Sequence, residues 1–460
     1  MKCSVLYKLL ALTISILLLC ATSLAMAGTD SSQEKDTEFI FTKFYSTRIS
    51  SFDIIKIGGS LEGSNYTYPI STPGTDIRSH NRLIFKLNVD GRLDDRVHVY
   101  AQMKVRSDLP QGNTRTRVIP QEAYLDVTLG DFGISGGYQI FSWGFADLMN
   151  PTDRLNPVDY SDLMDYEKEG IPALRLSFSH EKLLLEGIWM PIPDESELPD
   201  SDSRFFAPIL ASTNNPLLDI FHAPPGNYKF TIKALDPPIA WGSSQFGGRL
   251  FATLGRFDLG LSYFNGYEKR PYAEAIIGLP DPSTGEIPVT INEIFPREQV
   301  IGFNAATGFK GLNLKMESAL VLPEKSSHDI GNADNNHFIY VIGGDYTFYE
   351  LFGKHEFSIN MEFMQEIHPS SDKKEYFGRL FERTLFSRLE YKFSEYFKIL
   401  LYNAFNFDDH GYYIEPQIIW EPIDDLELKL KASIFDGPDT SLLGLFHDDK
   451  RINTSIKYSF

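Results

Sequence analysis

The stretch NRLIFKLNVDGRLDDRVHVYAQMKVR, Asn81 to Arg106, holds two alternating segments joined by a charged turn. Leu83, Phe85, Leu87 and Val89 fall on one parity, with Arg82, Ile84, Lys86 and Asn88 on the other. Beyond GRLDD the pattern resumes, and Val97, Val99, Ala101, Met103 and Val105 oppose Arg96, His98, Tyr100, Gln102, Lys104 and Arg106. Successive side chains of a strand point to opposite faces, so this is a hairpin with one apolar face and one densely charged face. The same grammar returns in HEFSINMEF (355–363), in DDLELKLKASIF (424–435) and in the last ten residues, RINTSIKYSF.

A soluble sandwich alternates too, and it is the connections that separate the two readings. Roughly 18 segments, within a range of about 16–20, follow one another from residue 54 to residue 460, and an even number suits a closed bacterial barrel. Short joints such as GD (130–131), SHEK (179–182), GR (255–256), KG (310–311) and PIDD (422–425) alternate with long stretches such as 142–171, 191–241 and 267–295. Short turns at one rim and long loops at the other indicate an all-β fold, a transmembrane antiparallel β-barrel with periplasmic turns, extracellular loops and both termini periplasmic. Trp143, Trp189 and Trp241 fall near expected outer strand ends and Trp420 near a turn end, where indoles favour a headgroup layer.

The ends of the chain agree with export to an outer membrane. Lys2 and Lys8 precede an apolar run from Leu9 to Leu19, and Ala25 and Ala27 give the small-residue spacing of a cleavage site. Residues 1–27 therefore read as a signal peptide, 28–53 as a short periplasmic segment and 54–460 as a single barrel. Both cysteines, Cys3 and Cys20, lie in the leader, so no disulfide, zinc site or thiol chemistry is expected beyond it. The chain has 43 Lys and Arg against 62 Asp and Glu; the leader holds two of the lysines and no acid, which leaves the remainder at −21. Such an acidic chain is unsuited to nucleic acid. At the other end Ile456, Tyr458 and Phe460 share one parity, resembling the C-terminal signal read by the barrel assembly machinery. The last strand is expected to pair with the first and close the sheet.

GYQIFSWGFADLMNPTDRLNPVDYSDLMDYEKEGIP, Gly137 to Pro172, breaks the alternation. It carries Gly137-x-Gln139, then Trp143-Gly144, Ala146-Asp147, Asn156-Pro157-x-Asp159 and, after an acidic stretch, Ile171-Pro172. This pattern resembles the shared core of a poorly characterised family of proteobacterial outer-membrane porin-like barrels. The resemblance implies a channel and supplies no substrate. Asn-Pro-x-Asp occurs twice, at Asn150–Asp153 and Asn156–Asp159, and Asn before Pro initiates turns whose Asp accepts backbone N–H groups. Three readings of the segment stay open: an ordered structural loop, a loop that narrows the mouth, and a divalent-cation site made from Asp147, Asp153, Asp159, Asp162 and Asp165.

The charges on the inward parity carry the functional expectation. Lys56, Arg82, Lys86, Lys104, Arg106, Lys429, Lys431, Arg451 and Lys457 would be neighbours across the closing seam, and Glu122 and Asp126 begin a more acidic arc continued by Glu356 and Glu362. Facing arcs of opposite charge in a water-filled lumen tune the passage of charged solutes. The expectation is an outer-membrane channel for passive or weakly selective diffusion of small solutes, with no enzymatic activity and no cofactor. Its partners would be outer-membrane lipid and lipopolysaccharide, the assembly machinery, small solutes and, as an open option, further copies of the chain. Two alternatives stand beside it: a barrel scaffold seating a partner in an export or electron-transfer complex, and a barrel-embedded lipid hydrolase. GISGG (133–137) matches Gly-x-Ser-x-Gly, but Ser135 falls inside an expected strand rather than a strand-to-helix elbow.

Overall fold

The computed structural model describes residues 54–70, 77–93, 95–110, 115–199, 203–204, 227–235, 237, 239–325, 335–368, 382–438 and 441–460. The expected leader and the 28–53 segment lie outside the described residues. Eighteen strands form one sheet: β1 (Ile54–Thr67), β2 (Ser79–Leu93), β3 (Val97–Pro110), β4 (Arg115–Leu129), β5 (Phe132–Gln139), β8 (Ile171–His180), β9 (Leu183–Met190), β11 (Gln245–Leu254), β12 (Phe257–Tyr267), β15 (Arg297–Phe309), β16 (Leu312–Pro323), β17 (His337–Leu351), β18 (His355–Ile367), β19 (Arg383–Ser394), β20 (Phe397–Asn406), β21 (Tyr412–Ile423), β22 (Leu426–Asp436) and β23 (Arg451–Ser459). Each pairs antiparallel with its neighbour in chain order, and β23 returns to β1 with Ser60 opposite Ser459 and Thr67 opposite Ile452. The sheet is a closed antiparallel barrel with no free edge.

The last residue takes part in the closure. Phe460 exchanges backbone hydrogen bonds with Gly59, N–H to carbonyl at 2.9 and 3.0 Å. A Cβ at position 59 would run into the Lys86 carbonyl oxygen of β2 and meet the Phe460 ring at 2.8 Å, so the glycine makes room for both the neighbouring strand and the terminal aromatic. That ring stacks on Phe85 with centroids 6.4 Å apart and is half exposed on the outer face.

The outer face is apolar along strand after strand: Leu61, Leu83, Leu125, Leu176, Leu185, Leu261, Ile301, Leu314, Ile342, Met361, Leu430 and Ile456 are all exposed. The inner face is more mixed than alternation suggests. At the loop end of β15 to β18 the inward residues Val300, Ala319, Val321, Ile339, Val341 and Met364 are themselves apolar and buried, and form one packed group with Phe141, Trp143 and Leu155. In β4 a bulge opposite Gln102 and Met103 reverses the parity, so Val118 faces out before it and Leu125 after it.

Two details of the rims differ from the expected rhythm. The loop rim contains two short connections, 111–114 and 407–411, as well as long ones. Its long segments carry structure of their own: β10 (Asn227–Leu235) and β13 (Tyr272–Ile277) flank β14 (Glu286–Ile294) in a separate three-stranded sheet, and β6 (Val158–Asp159) pairs with β7 (Glu167–Lys168). Trp143 also departs from expectation: it is 2% exposed and lies within the barrel. Trp241 is 82% exposed and stacks on Trp189 at 6.1 Å, and Trp420 is exposed near the turn rim, so these three keep the positions the sequence suggested.

Candidate functional site: the loop across the lumen

The segment 140–170 does not rise from the rim. It turns inward, and its two arms are held by opposite walls of the barrel.

Two inward carboxylates seat the first arm. Glu317 on β16 accepts the N–H groups of Phe145, Ala146 and Thr152 at 2.9–3.1 Å, and the Thr152 hydroxyl at 2.8 Å. Glu362 on β18 accepts those of Asp147, Leu148 and Met149 at 2.7–3.2 Å. A loop buried without regular structure must find partners for its backbone N–H groups, and these two side chains supply them. Gly144 makes the turn at φ +93°, where a Cβ would run into Asn150 and Glu317. The Trp143 indole donates to Glu186 on β9 at 3.0 Å, with the Arg249 guanidinium over its ring. Asp147 pairs with Lys315 and accepts Asn360 at 2.8 Å.

The two Asn-Pro-x-Asp turns close the middle. Asn150 donates to the Trp143 carbonyl. Asn156 accepts the Phe141 N–H at 2.7 Å and donates to the carbonyls of Gln139 and Glu169, stapling both feet of the loop together. Asp153 pairs with Lys168, while Asp159 accepts the Ser161 N–H at 2.9 Å in an Asx turn.

The acidic arm meets the basic seam. Arg82 reaches Asp162 at 3.0 Å and Asp108 at 2.7 Å; Arg106 reaches Asp159 at 3.1 Å and Asp108 at 2.7 Å. Lys86 and Lys104 share Glu167 at 2.7 and 2.8 Å, Lys431 pairs with Asp165, and Arg451 binds both oxygens of Asp162 at 2.9 Å. Burial alone would raise the Asp162 carboxyl, but Arg451 and Arg82 and the hydrogen bonds around it hold it well below the usual carboxylate range. For Asp165, burial and neighbouring Asp162 are outweighed by Lys431 and Arg451, and for Glu167 burial is outweighed by Lys104 and Lys86; both sit below their usual range.

Six seam cations, Arg82, Lys86, Lys104, Arg106, Lys431 and Arg451, are thus neutralised rather than presented to open water. Of the five acids Asp147, Asp153, Asp159, Asp162 and Asp165, the first three pair with Lys315, Lys168 and Arg106, while Asp162 and Asp165 share Arg451 and Arg82. Nearer the turn rim the remaining charges face wall partners: Lys429 lies 3.2 Å from Glu427, and Arg175 lies 3.0 Å from Asp126. Lys457 stands in register with Glu62 and Glu427, and Lys56 with Asp90. Glu122 accepts the N–H of Ile140, where the inward loop begins, and Glu356 faces Lys392 at 3.5 Å. Ser135 is fully buried within β5 and donates to Gln139 at 2.7 Å.

Sequence reasoning missed Glu186, Glu317 and the apolar inner wall. The wall had a signal in the strand ends SALVL (318–322) and IYVI (339–342), which are apolar on both parities.

No protein-family model matches the chain, and neither does any curated protein. Among solved structures it is similar to Pseudomonas aeruginosa OccK5 (OpdH), at 9% identity over 89% of this chain and 98% of that one, TM-score 0.46. A mutant of Rh. blastica porin is similar at 11% identity, covering 88% and 100%, TM-score 0.37. OmpTdeltaL8, a loop L8 deletion mutant of the Vibrio cholerae outer membrane protein OmpT, is similar at 9%, covering 88% and 99%, TM-score 0.38. No residue role passes from them to this chain.

Proposed function

We propose that the protein is an outer-membrane channel of porin-like build in which loop 140–170 narrows the path for small solutes. The observation that carries this reading is the loop's double attachment, by carboxylates on one wall and by ion pairs on the other. A closed 18-stranded barrel encloses room for water, and its apolar exterior suits the hydrocarbon of a bilayer. A loop fixed across that lumen sets the narrowest section. Because the seam cations are matched by carboxylates, the path is weakly selective: the field that unpaired Lys and Arg would impose is largely quenched. The leader at 1–27 and the terminal Ile456, Tyr458 and Phe460 support export and assembly into the outer membrane.

The test is ion current through the purified protein in a planar bilayer under a salt gradient. Small, stepwise conductance with a reversal potential near zero is the expected result. A folded barrel that passes no current overturns the channel reading. One observation would then favour the scaffold alternative: the sheet of β10, β13 and β14 at the loop rim exposes Ile276, Ile277 and, beyond β13, Leu279. Stable co-purification with a protein partner would support it.

A further inference from the structure

The hairpin of β17 and β18 ends at the loop rim with a group of side chains that the channel reading does not use. Phe338 pairs with Ile367, so the next step of the register sets His337 beside His368, with Glu366 two residues before it on the same face. All three side chains are more than nine-tenths buried. The imidazole rings stack with centroids 4.8 Å apart and planes at 20°. Glu366 Oε1 lies 2.6 Å from His368 Nε2 and 3.8 Å from His337 Nε2, and one ligand atom from each residue falls within 4.8 Å of the others.

The hydrogen bonding orients the two rings. His337 Nδ1 sits 3.1 Å from the Asn335 carbonyl oxygen, which can only accept, so the ring proton is on Nδ1 and the Nε2 lone pair points toward Glu366. A backbone carbonyl in this position is the usual means of orienting a metal-binding imidazole. His368 Nδ1 is buried and has no hydrogen-bond partner among the described residues. Arg154 pairs with Glu268, and Arg270, 3.5 Å from the same carboxylate, also exerts its charge on Glu366.

We propose that His337, Glu366 and His368 form a binding site for a divalent transition metal of the zinc class, with a fourth position taken by water. Two imidazoles and one carboxylate are a donor set suited to such borderline ions and unsuited to calcium. Bonds of about 2.0–2.1 Å in a tetrahedron place donors roughly 3.3 Å apart. The 2.6 Å contact therefore opens and the longer separations close by side-chain rotation. The ion would clip the start of β17 to the end of β18, where the chain leaves the barrel wall.

The test uses the full-length, untagged protein in detergent, stripped with a chelator and titrated with Zn2+ against a chromogenic zinc indicator. One equivalent per chain is expected, unaffected by excess Ca2+. His337→Ala and His368→Ala should each weaken binding at least about tenfold, while His180→Ala and His447→Ala, at exposed histidines, should not. Absence of stoichiometric Zn2+ binding, or binding unchanged in the His337→Ala/His368→Ala double variant, overturns the proposal. Should the variants fail to fold, Co2+ bound to the unaltered protein decides: the absorption of a four-coordinate ion supports the site, and that of the hydrated ion overturns it.

Discussion

Arg451 and Asp162 are sealed together inside the barrel: one guanidinium nitrogen donates to both carboxylate oxygens at 2.9 Å, and neither side chain is more than 2% exposed. The two residues are 289 positions apart, one on the last strand and one on the inward loop. Their contact ties the loop to the seam that closes the sheet. Removing one member of a buried pair leaves an uncompensated charge and costs on the order of 3–5 kcal/mol. A loop can release that cost by moving while the strands stay paired. Arg451→Ala is therefore expected to raise single-channel conductance and expose the 155–170 arm to protease, with the barrel still folded by its heat-modifiable migration on gels. Conductance and cleavage identical to the parent would show that the pair does not hold the loop.

Charge matching makes a separate prediction about selectivity. Asp159, Asp162, Asp165 and Glu167 face Arg106, Arg82, Arg451, Lys431, Lys86 and Lys104. Neutralising all four as Asn or Gln makes the lumen more positive by four charges without altering side-chain size. The reversal potential under a salt gradient should move clearly toward anion preference, and the shift should shrink as ionic strength rises. A variant with the parent's reversal potential would place the conduction path away from the seam.

The other arm depends on neutral donors and charged acceptors. Glu317 and Glu362 together accept six backbone N–H groups. Each buried group left unpaired costs about 1–3 kcal/mol. Glu317→Ala/Glu362→Ala should free residues 143–155 and be cleaved there, whereas the Gln pair, which keeps one accepting oxygen at each position and puts a donating NH2 at the other, should be cleaved more slowly than the Ala pair. Equal protease resistance of the Ala and Gln pairs would remove the carboxylates from this role.

The strand ladder was legible because a barrel wall between an apolar exterior and a wet lumen imposes period two on almost every segment. The inward loop was half legible: paired Asn-Pro-x-Asp turns and a run of acids announced rigidity and charge. Its destination was hidden, since contacts such as Arg451 with Asp162 or Glu362 with Asp147 join strands to a loop hundreds of residues away, and nothing in local spacing records them. The apolar inner wall at Ala319, Val321 and Val341 ran against the alternation expected of a channel. Those residues follow the loop instead, burying the side on which Phe141, Trp143 and Leu155 lie. Nothing in local spacing joins His337 to His368, which the hairpin register sets side by side.

Acid should reach the acidic arm late. A carboxylate held below its unfolded pKa stabilises the fold above that unfolded value, and the contribution disappears as pH falls through the folded value. Asp162, Asp165 and Glu167 are all depressed, so the loop's attachment to the seam is constant from pH 8 to about pH 5. Release is expected only in strongly acidic solution, below the ordinary carboxylate range. Lys269 acts at the other end: burial lowers it to about 8, so charging it costs stability as pH falls from its unfolded value toward 8, and the cost is constant below that. Protease resistance of the acidic arm, residues 158–167, measured from pH 3 to pH 8, should stay flat down to about pH 5. A transition centred near pH 6 would contradict this assignment.

The terminal aromatic has a partner that can be altered independently of it. Phe460 bonds to Gly59 through both backbone groups, and its ring covers the space where a side chain at position 59 would stand. Deleting the ring in Phe460→Ala leaves the backbone pairing possible but removes the half-exposed aromatic surface on the outer face. Gly59→Leu keeps Phe460 but crowds both its ring and the Lys86 carbonyl of β2. If the ring serves only to close the sheet, both variants should lose stability in urea-dependent unfolding, Gly59→Leu the more. If the ring is also read during assembly, Phe460→Ala should additionally lower the yield of folded barrel in cells, while refolding from urea into detergent proceeds as for the parent. Equal yields of the two variants in cells would confine Phe460 to the seam.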